Sequence, residues 1–395
     1  MRNTKKVIAA TAAVATLVGL AACGSSNDNG ANKGDADKAE LVFWGWDSGN
    51  SMKEILADFE KANPGITVKF NNTGTAEKTS TALSNAIAAG NGAPDVVMLE
   101  DPTVTQFAVT DGLVDLSEFG ADKLADDFAA GPWNKLQYNN KPYALPIDSG
   151  PEMFFYNKAV FDKAGVDGES IKTWNDYYEA AKKLKKIGVY ITADSGDASF
   201  YDTMIWLAGG RPFSTSNDGK NVTIRLTEDK GTREFTEFWQ KMIDEGLVAT
   251  NLTSWSDRWK SAVGQGKVAS LFSGAWLPSL LMSDIPGAAG LWRVAQMPTP
   301  DGKATTSENG GSALAVLQRS RKPEASYRFI EYACHNAKGI TTRVDGGAFP
   351  ADKNTLSDSK FLSKTTVTDD RGIEVPYFGG QEYNRVLSQA AENVS

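Results

Sequence analysis

Apolar positions in the first third of the folded part follow two periods. Glu40-Leu41-Val42-Phe43-Trp44 is a short apolar run and reads as a strand. Met52, Ile55, Leu56 and Phe59 recur at helical spacing, so 52–63 predicts an amphipathic helix, stopped by Asn63-Pro64-Gly65. Ile66 to Phe70 alternates as a strand. Residues 79–89 read as a helix closed by Gly90-Asn91-Gly92, and Asp95 to Leu99 as a buried strand. Strand, helix, strand, helix, strand is the pattern of a parallel sheet with right-handed crossovers. Ligands of open α/β sheets sit beyond the carboxyl ends of the strands. Trp44-Gly45-Trp46-Asp47 and Glu100-Asp101 stand there, so two tryptophans and three carboxylates gather along one rim.

The pattern restarts after Lys141-Pro142-Tyr143-Ala144-Leu145-Pro146-Ile147-Asp148-Ser149-Gly150-Pro151. Phe154 to Tyr156 begins a new strand. Trp174 starts a helix through Lys186, with Thr173 as its N-cap. Tyr190 to Thr192 reads as a strand, and Tyr201 to Ala208 as a helix ending at Gly209-Gly210. Phe235, Phe238, Trp239 and Met242 form a core stripe at i, i+3, i+4 and i+7. Val268 to Ser273 is a strand that ends at Gly274-Ala275-Trp276, where an aromatic again follows a strand end. Trp255 and Trp259 stand at i and i+4; they read as packed under that strand, with one of them free to face a cleft.

Residues before Glu40 belong to a different class. Arg2, Lys5 and Lys6 precede the apolar stretch Val7 to Leu20, which is shorter than the roughly 20 residues a membrane span needs. Leu20-Ala21-Ala22-Cys23 resembles the lipobox of bacterial lipoproteins, which implies that residues 1–22 are a signal peptide and that Cys23 carries lipid; a plain signal peptide is the alternative. Residues 24–38, GSSNDNGANKGDADK, hold no large apolar side chain and cannot fold alone. With Cys23 they make a flexible leash, 23–38, of about 20 Å root-mean-square span. The expected location is therefore extracytoplasmic, on the membrane.

A formal net charge of −8 repels phosphate backbones, so nucleic acid is not an expected partner. With Cys23 lipidated, Cys334 is left alone and no intrachain disulfide can form. One histidine, His335, beside one thiol makes a transition-metal site unexpected, and no G-x-S-x-G, P-loop or H-E-x-x-H motif occurs. No cofactor or catalytic residue is expected. Glu100 and Asp101, adjacent in sequence, are a poor match for the acid pair of a glycosidase, which needs its carboxyls roughly 5–10 Å apart.

Leu41-Val42-Phe43-Trp44, Phe59-Glu60-Lys61-Ala62-Asn63-Pro64-Gly65-Ile66, Gly92-Ala93-Pro94-Asp95-Val96, Gly112-Leu113-Val114-Asp115-Leu116, Tyr143-Ala144-Leu145-Pro146, Tyr156-Asn157-Lys158, Ser273-Gly274-Ala275-Trp276 and Gly346-Gly347-Ala348-Phe349-Pro350 occur in order along nearly all of the chain. Together they resemble the carbohydrate-binding, extracellular solute-binding lipoproteins of ABC importers, the family of maltose-binding protein. The resemblance implies an α/β, two-lobe periplasmic-binding-protein fold of type II. Each lobe would be a mainly parallel sheet flanked by helices, joined by hinge crossings. Lobe one would be 39–147 and 309–345, lobe two 148–308 and 346–395. It also implies further helices past Ser395, so the chain is expected to be short of the family's length at that end.

The implied function is capture of a neutral sugar, expected to be an oligosaccharide, between the lobes of a monomer, and delivery to the ABC permease. A lipid-anchored glycoside hydrolase and a receptor for a non-sugar solute stay open as alternatives. A pyranose packs its C–H face on an aromatic ring, and its hydroxyls need polar partners, since each one buried unpaired costs about 1–3 kcal/mol. By resemblance Trp276 is the stacking aromatic, and Glu100 and Asp101 hold hydroxyls. Trp44, Trp46 and Asp47 occupy the first rim loop. Glu152, Trp206, Asn309, Gly310 and Phe349 flank crossings or rims and complete the expected ligand set.

Overall fold

The structure, a computed structural model, describes residues 37–47, 51–196, 198–216, 221–278, 281, 285, 289–368 and 374–392. The expected signal peptide and Cys23, and Ser48 and Gly49 of the first rim loop, lie outside the described residues.

The first sheet grows from β1 (Ala39–Gly45), β2 (Ile66–Asn72) and β3 (Val96–Glu100), linked by α1 (Met52–Ala62) and α2 (Ala76–Ala89). β1 pairs in parallel with both β2 and β3, as the alternating pattern predicts. α1 buries Met52, Ile55, Leu56 and Phe59, the expected stripe. α2 starts on Thr75, whose hydroxyl accepts from Lys78 N, and stops at Gly90 with φ +75°. β3 is buried on both faces: Val96 and Met98 enter one core cluster, Val97 and Leu99 another. Hence its unbroken apolar run, the mark of a strand sandwiched between helical layers. α3 (Asp101–Val109) follows β3 without a gap.

Two later strands complete this sheet, β4 (Leu145–Asp148) and, from far along the chain, β10 (Ser312–Val316), giving the order β2-β1-β3-β10-β4. β10 runs antiparallel to β3 and to β4.

The second lobe centres on β5 (Glu152–Asn157), buried throughout. Phe154 and Tyr156 face a cluster with α4 (Trp174–Lys186), α5 (Ala198–Leu207) and α6 (Lys230–Asp244). Met153 and Phe155 face another, with Trp259 of α7 (Asp257–Gly264) and Leu387 of α10 (Tyr383–Ala391). β8 (Ser270–Gly274) and β9 (Trp292–Ala295) flank β5, both antiparallel to it. Tyr190 bridges Val268 in parallel, and β6 (Thr192–Ala193) pairs in parallel with β7 (Val248–Ala249). The expectation of mainly parallel sheets is corrected here. The first sheet is mixed, and the second is antiparallel around its central strand. Apolar period marks a strand but not its direction, and the antiparallel partners come from distant segments.

α8 (Pro323–Cys334) and α9 (Ala337–Asp345) cover the first sheet, with Phe329 packed edge-on against Phe43 and Phe59. Among the described residues no helix is long and apolar enough to cross a membrane.

Candidate functional site

Three segments cross between the two sheets and bond to one another sideways. Ser149 N donates to Phe349 O at 3.0 Å, Asn309 N to Gly150 O at 2.7 Å, and Glu152 N to Ser307 O at 2.8 Å. Side chains reinforce the seam. The Ser149 hydroxyl and Gly150 N both donate to Glu308 Oε1, at 2.9 and 2.5 Å. Ser312 N donates to Asp148 Oδ1 at 2.7 Å, and Arg343 Nη2 meets Asp148 Oδ2 at 3.0 Å. Gly310 and Gly311 hold φ of +102° and +91°, which glycine tolerates and other residues resist. The turn-rich crossing thus bends within a few residues.

Four expected site residues meet on this seam. Trp276, just past β8, donates through Nε1 to Asn309 O at 2.8 Å, and its ring lies beside Gly310. Asn309 Nδ2 donates to Glu152 Oε1 at 3.1 Å. Glu152 Oε2 accepts from the Ser307 hydroxyl at 2.8 Å, and Oε1 accepts from the Thr203 hydroxyl at 3.2 Å. Glu152 is fully buried, and desolvation pushes its carboxyl up to about 7 against the pull of those three hydrogen bonds. It anchors the crossing from behind and presents no surface.

Glu100 and Asp101 part company at the β3–α3 junction. Glu100 is exposed, yet its carboxyl is raised by partial desolvation and by the charge of Asp148. Asp101 is 0 % exposed, and neither of its carboxylate oxygens has a hydrogen-bond partner among the described residues. Burial first, then the Glu308 charge, drives its carboxyl well above the ordinary range. Oδ2 lies 2.5 Å from where a Cβ on Gly311 would stand. In this conformation Asp101 packs behind the crossing rather than lining a groove.

The remaining expected contacts sit apart from that seam. Asp47 accepts from Ser51 N and Met52 N, each at 3.1 Å, and so caps α1, although its charge also reaches Arg343. Trp46 is half-buried against the first core, and Trp44, in β1, against the cluster on the other face of the sheet. Trp206 is half-buried on α5, the helix that also brings Thr203 to Glu152. Phe349 is 4 % exposed, its ring tilted against Phe361 at 5.9 Å; its carbonyl serves the crossing and its ring serves the core.

Asp148, Arg343, Glu308 and Thr203 escaped the sequence reading. Asp148 is half-buried and paired with buried Arg343, whose guanidinium burial depresses and Asp148 holds up. Glu308 and Thr203 join the seam. Trp255 packs its ring against Trp276 at 5.4 Å. Trp255 is one of the two tryptophans the sequence left able to face a cleft; the other four depend on pairings far apart in the chain. A surface pocket of about 350 Å³ between α5 and α6, lined by Tyr201, Thr232, Arg233 and Thr236, contains none of the seam residues. Among the described residues no group of three His, Cys, Asp or Glu side chains could hold a metal ion.

Known proteins resemble this arrangement as a whole. The ABC transporter associated binding protein of B. animalis subsp. lactis Bl-04, solved in complex with β-1,6-galactobiose, shares 52% identity, covers 91% of this chain and 87% of its own, and superposes with a TM-score of 0.81. The galacto-N-biose-/lacto-N-biose I-binding protein of the ABC transporter from Bifidobacterium longum shares the fold at 24% identity, a TM-score of 0.76 and coverage of 91% and 87%. The arabinooligosaccharide-binding protein of Bacillus subtilis is 26% identical over 338 residues, 82% of this chain and 74% of that protein. These relatives are named as binding proteins rather than enzymes. The sequence profile of the bacterial extracellular solute-binding protein matches residues 45–336. A match over most of the chain, joined to two lobes bonded through three crossings, makes this protein a member of the bacterial extracellular solute-binding protein family.

Proposed function

We propose that the chain is the sugar-capturing component of an ABC importer, holding an uncharged di- or oligosaccharide between its lobes and passing it unaltered to the membrane permease. The observation that carries this reading is the 52% identity, over 91% of the chain, with a binding protein solved around β-1,6-galactobiose. The seam supports it chemically. Trp276 offers a ring face for a pyranose, while Glu100, Asp148 and Asn309 offer acceptors and donors for hydroxyls. We assign 39–147 and 309–345 to lobe one and 148–308 with 346–395 to lobe two. Closure turns on the crossings near Gly150, Gly310–Gly311 and Gly346–Phe349 and removes the sugar from water. The protein works as a monomer, tethered by lipid on Cys23 outside the cytoplasm.

Titration of tryptophan fluorescence against a panel of mono- and oligosaccharides including β-1,6-galactobiose tests the reading. Saturable change with an affinity near micromolar, about −8 kcal/mol, is expected, with the sugar recovered intact by chromatography. A flat response across the panel, or release of galactose, would overturn it. Cys23→Ser should move the protein from the membrane fraction to the medium.

A further inference from the structure

The turn before α7 carries a tryptophan where the backbone asks for glycine. Ser256 N donates to Thr253 O at 3.2 Å, and the Ser256 hydroxyl donates to the same carbonyl at 2.7 Å. The third residue of the closed turn is Trp255, at φ +67°. Turns fill that left-handed position with Gly or Asn, because a Cβ there crowds the neighbouring carbonyl. A bulky aromatic gains nothing for the backbone by standing in it. Nor does the ring fill a core: Trp255 is 42 % exposed, whereas the other nine tryptophans are buried or half-buried. Strain of this kind is retained where a side chain has work to do.

The ring has a defined neighbourhood. It leans on Trp259 at 4.6 Å, inclined 55°, and on Trp276 at 5.4 Å, inclined 54°. Trp259 is held in the lobe-two core, and Trp276 is tied to the crossing through Asn309. The strained turn therefore presents an open indole at the edge of the one assigned to stack a sugar. One indole face covers about one pyranose. We propose that Trp255 forms a second sugar subsite beside Trp276, so that the cleft selects a disaccharide or longer chain over a monosaccharide. This rests on the sugar-receptor reading above. The 54° inclination suits two pyranoses joined by a linkage flexible enough to let them tilt.

The test is titration of the full chain and of Trp255→Gly and Trp255→Tyr with β-1,6-galactobiose and with galactose, beside thermal melts. Trp255→Gly should weaken galactobiose binding about tenfold or more and change galactose binding less than about threefold. Because glycine relaxes the turn, its melting temperature should not fall. Trp255→Tyr, which keeps a ring, should restore most of the affinity. Parent-like galactobiose binding by Trp255→Gly, or equal losses for both sugars, overturns the subsite and leaves the receptor reading standing. Failure of the parent to bind any sugar of the panel removes the receptor reading itself.

Discussion

In the second lobe Trp174 stacks on Phe238 at 4.9 Å and Phe235 lies against Trp239 at 5.5 Å, while elsewhere in the same lobe Trp255 leans on Trp259 and Trp276. The first group stands on helices. Phe235, Phe238 and Trp239 recur at one-turn spacing along α6, Trp174 opens α4, and the indole N–H groups are spent inward, Trp174 on Pro298 O and Trp239 on Asp194. The second group stands on a turn, a helix start and a strand end, and its indole N–H at Trp276 goes to the crossing. Helix positions commit aromatic area to the core, Trp259 included; the turn and the strand end leave Trp255 exposed and Trp276 half-buried. The same ring thus supplies folding free energy in one place and, under the proposed function, a recognition face in the other.

The comparison breaks most sharply at Phe235. It is fully buried between Trp174 and Trp239, so Phe235→Ala should cost about 3–5 kcal/mol of stability, read by urea unfolding. Sugar affinity of the folded fraction should stay at the parent value. A changed dissociation constant at unchanged stability would erase the distinction between the two groups.

The seam between them should be sensitive to pH. Glu152 titrates near 7 in the folded protein against an ordinary 4.5, because burial outweighs its three hydrogen bonds. Below pH 4.5 the acid is protonated in both states and its contribution is fully present. As pH climbs toward 7 the unfolded chain ionises while the folded one holds its proton, so stability declines, by roughly 3 kcal/mol once both have ionised. Asp101 and Glu308 push in the same direction. Melting curves from pH 4.5 to 8 should show the decline, and Glu152→Gln, a stand-in for the neutral acid, should flatten part of it. An identical slope in the variant would move the effect elsewhere.

Trp276→Ala comes next. It removes a half-buried ring and its bond to Asn309 O, and should weaken sugar binding at least tenfold, about 1.4 kcal/mol. Titration decides the matter; an unchanged curve would strike Trp276 from the site.

Much of the fold is visible in local pattern. The helix from Trp174 to Lys186 with its Thr173 capping box, the α1 stripe and the parallel trio β1–β2–β3 all follow from spacing within a few residues. The antiparallel insertion of β10 beside β3 does not, because strand direction depends on a partner far away in the chain. The Asp148–Arg343 pair and the Glu308 contacts were hidden for the same reason. Trp276 and Asn309 could be flagged by their positions after a strand end and within a glycine-rich stretch. Spacing at i, i+4 left open which of Trp255 and Trp259 faces outward, because nothing local reports a left-handed backbone.

Glu100 and Asp101 supply the finest contrast, since one peptide bond separates a group open to water from one sealed behind Gly311. A strand running straight into a helix turns consecutive side chains to different sides, and here one of those sides is the crossing. Burial, then the Glu308 charge, raises the Asp101 carboxyl well above its ordinary range, which favours the protonated form, and Asp101→Asn keeps its size. The variant should bind sugar as the parent does, with stability within about 1 kcal/mol. If Glu100 accepts from a sugar hydroxyl, as proposed, Glu100→Gln weakens a charge-assisted acceptor and should cost about 1 kcal/mol of binding, roughly fivefold. Calorimetric titration of both variants resolves the pair. Should Asp101→Asn prove the weaker binder, the buried acid must swing out past Gly311 when the lobes close, and the exposed one would be a bystander.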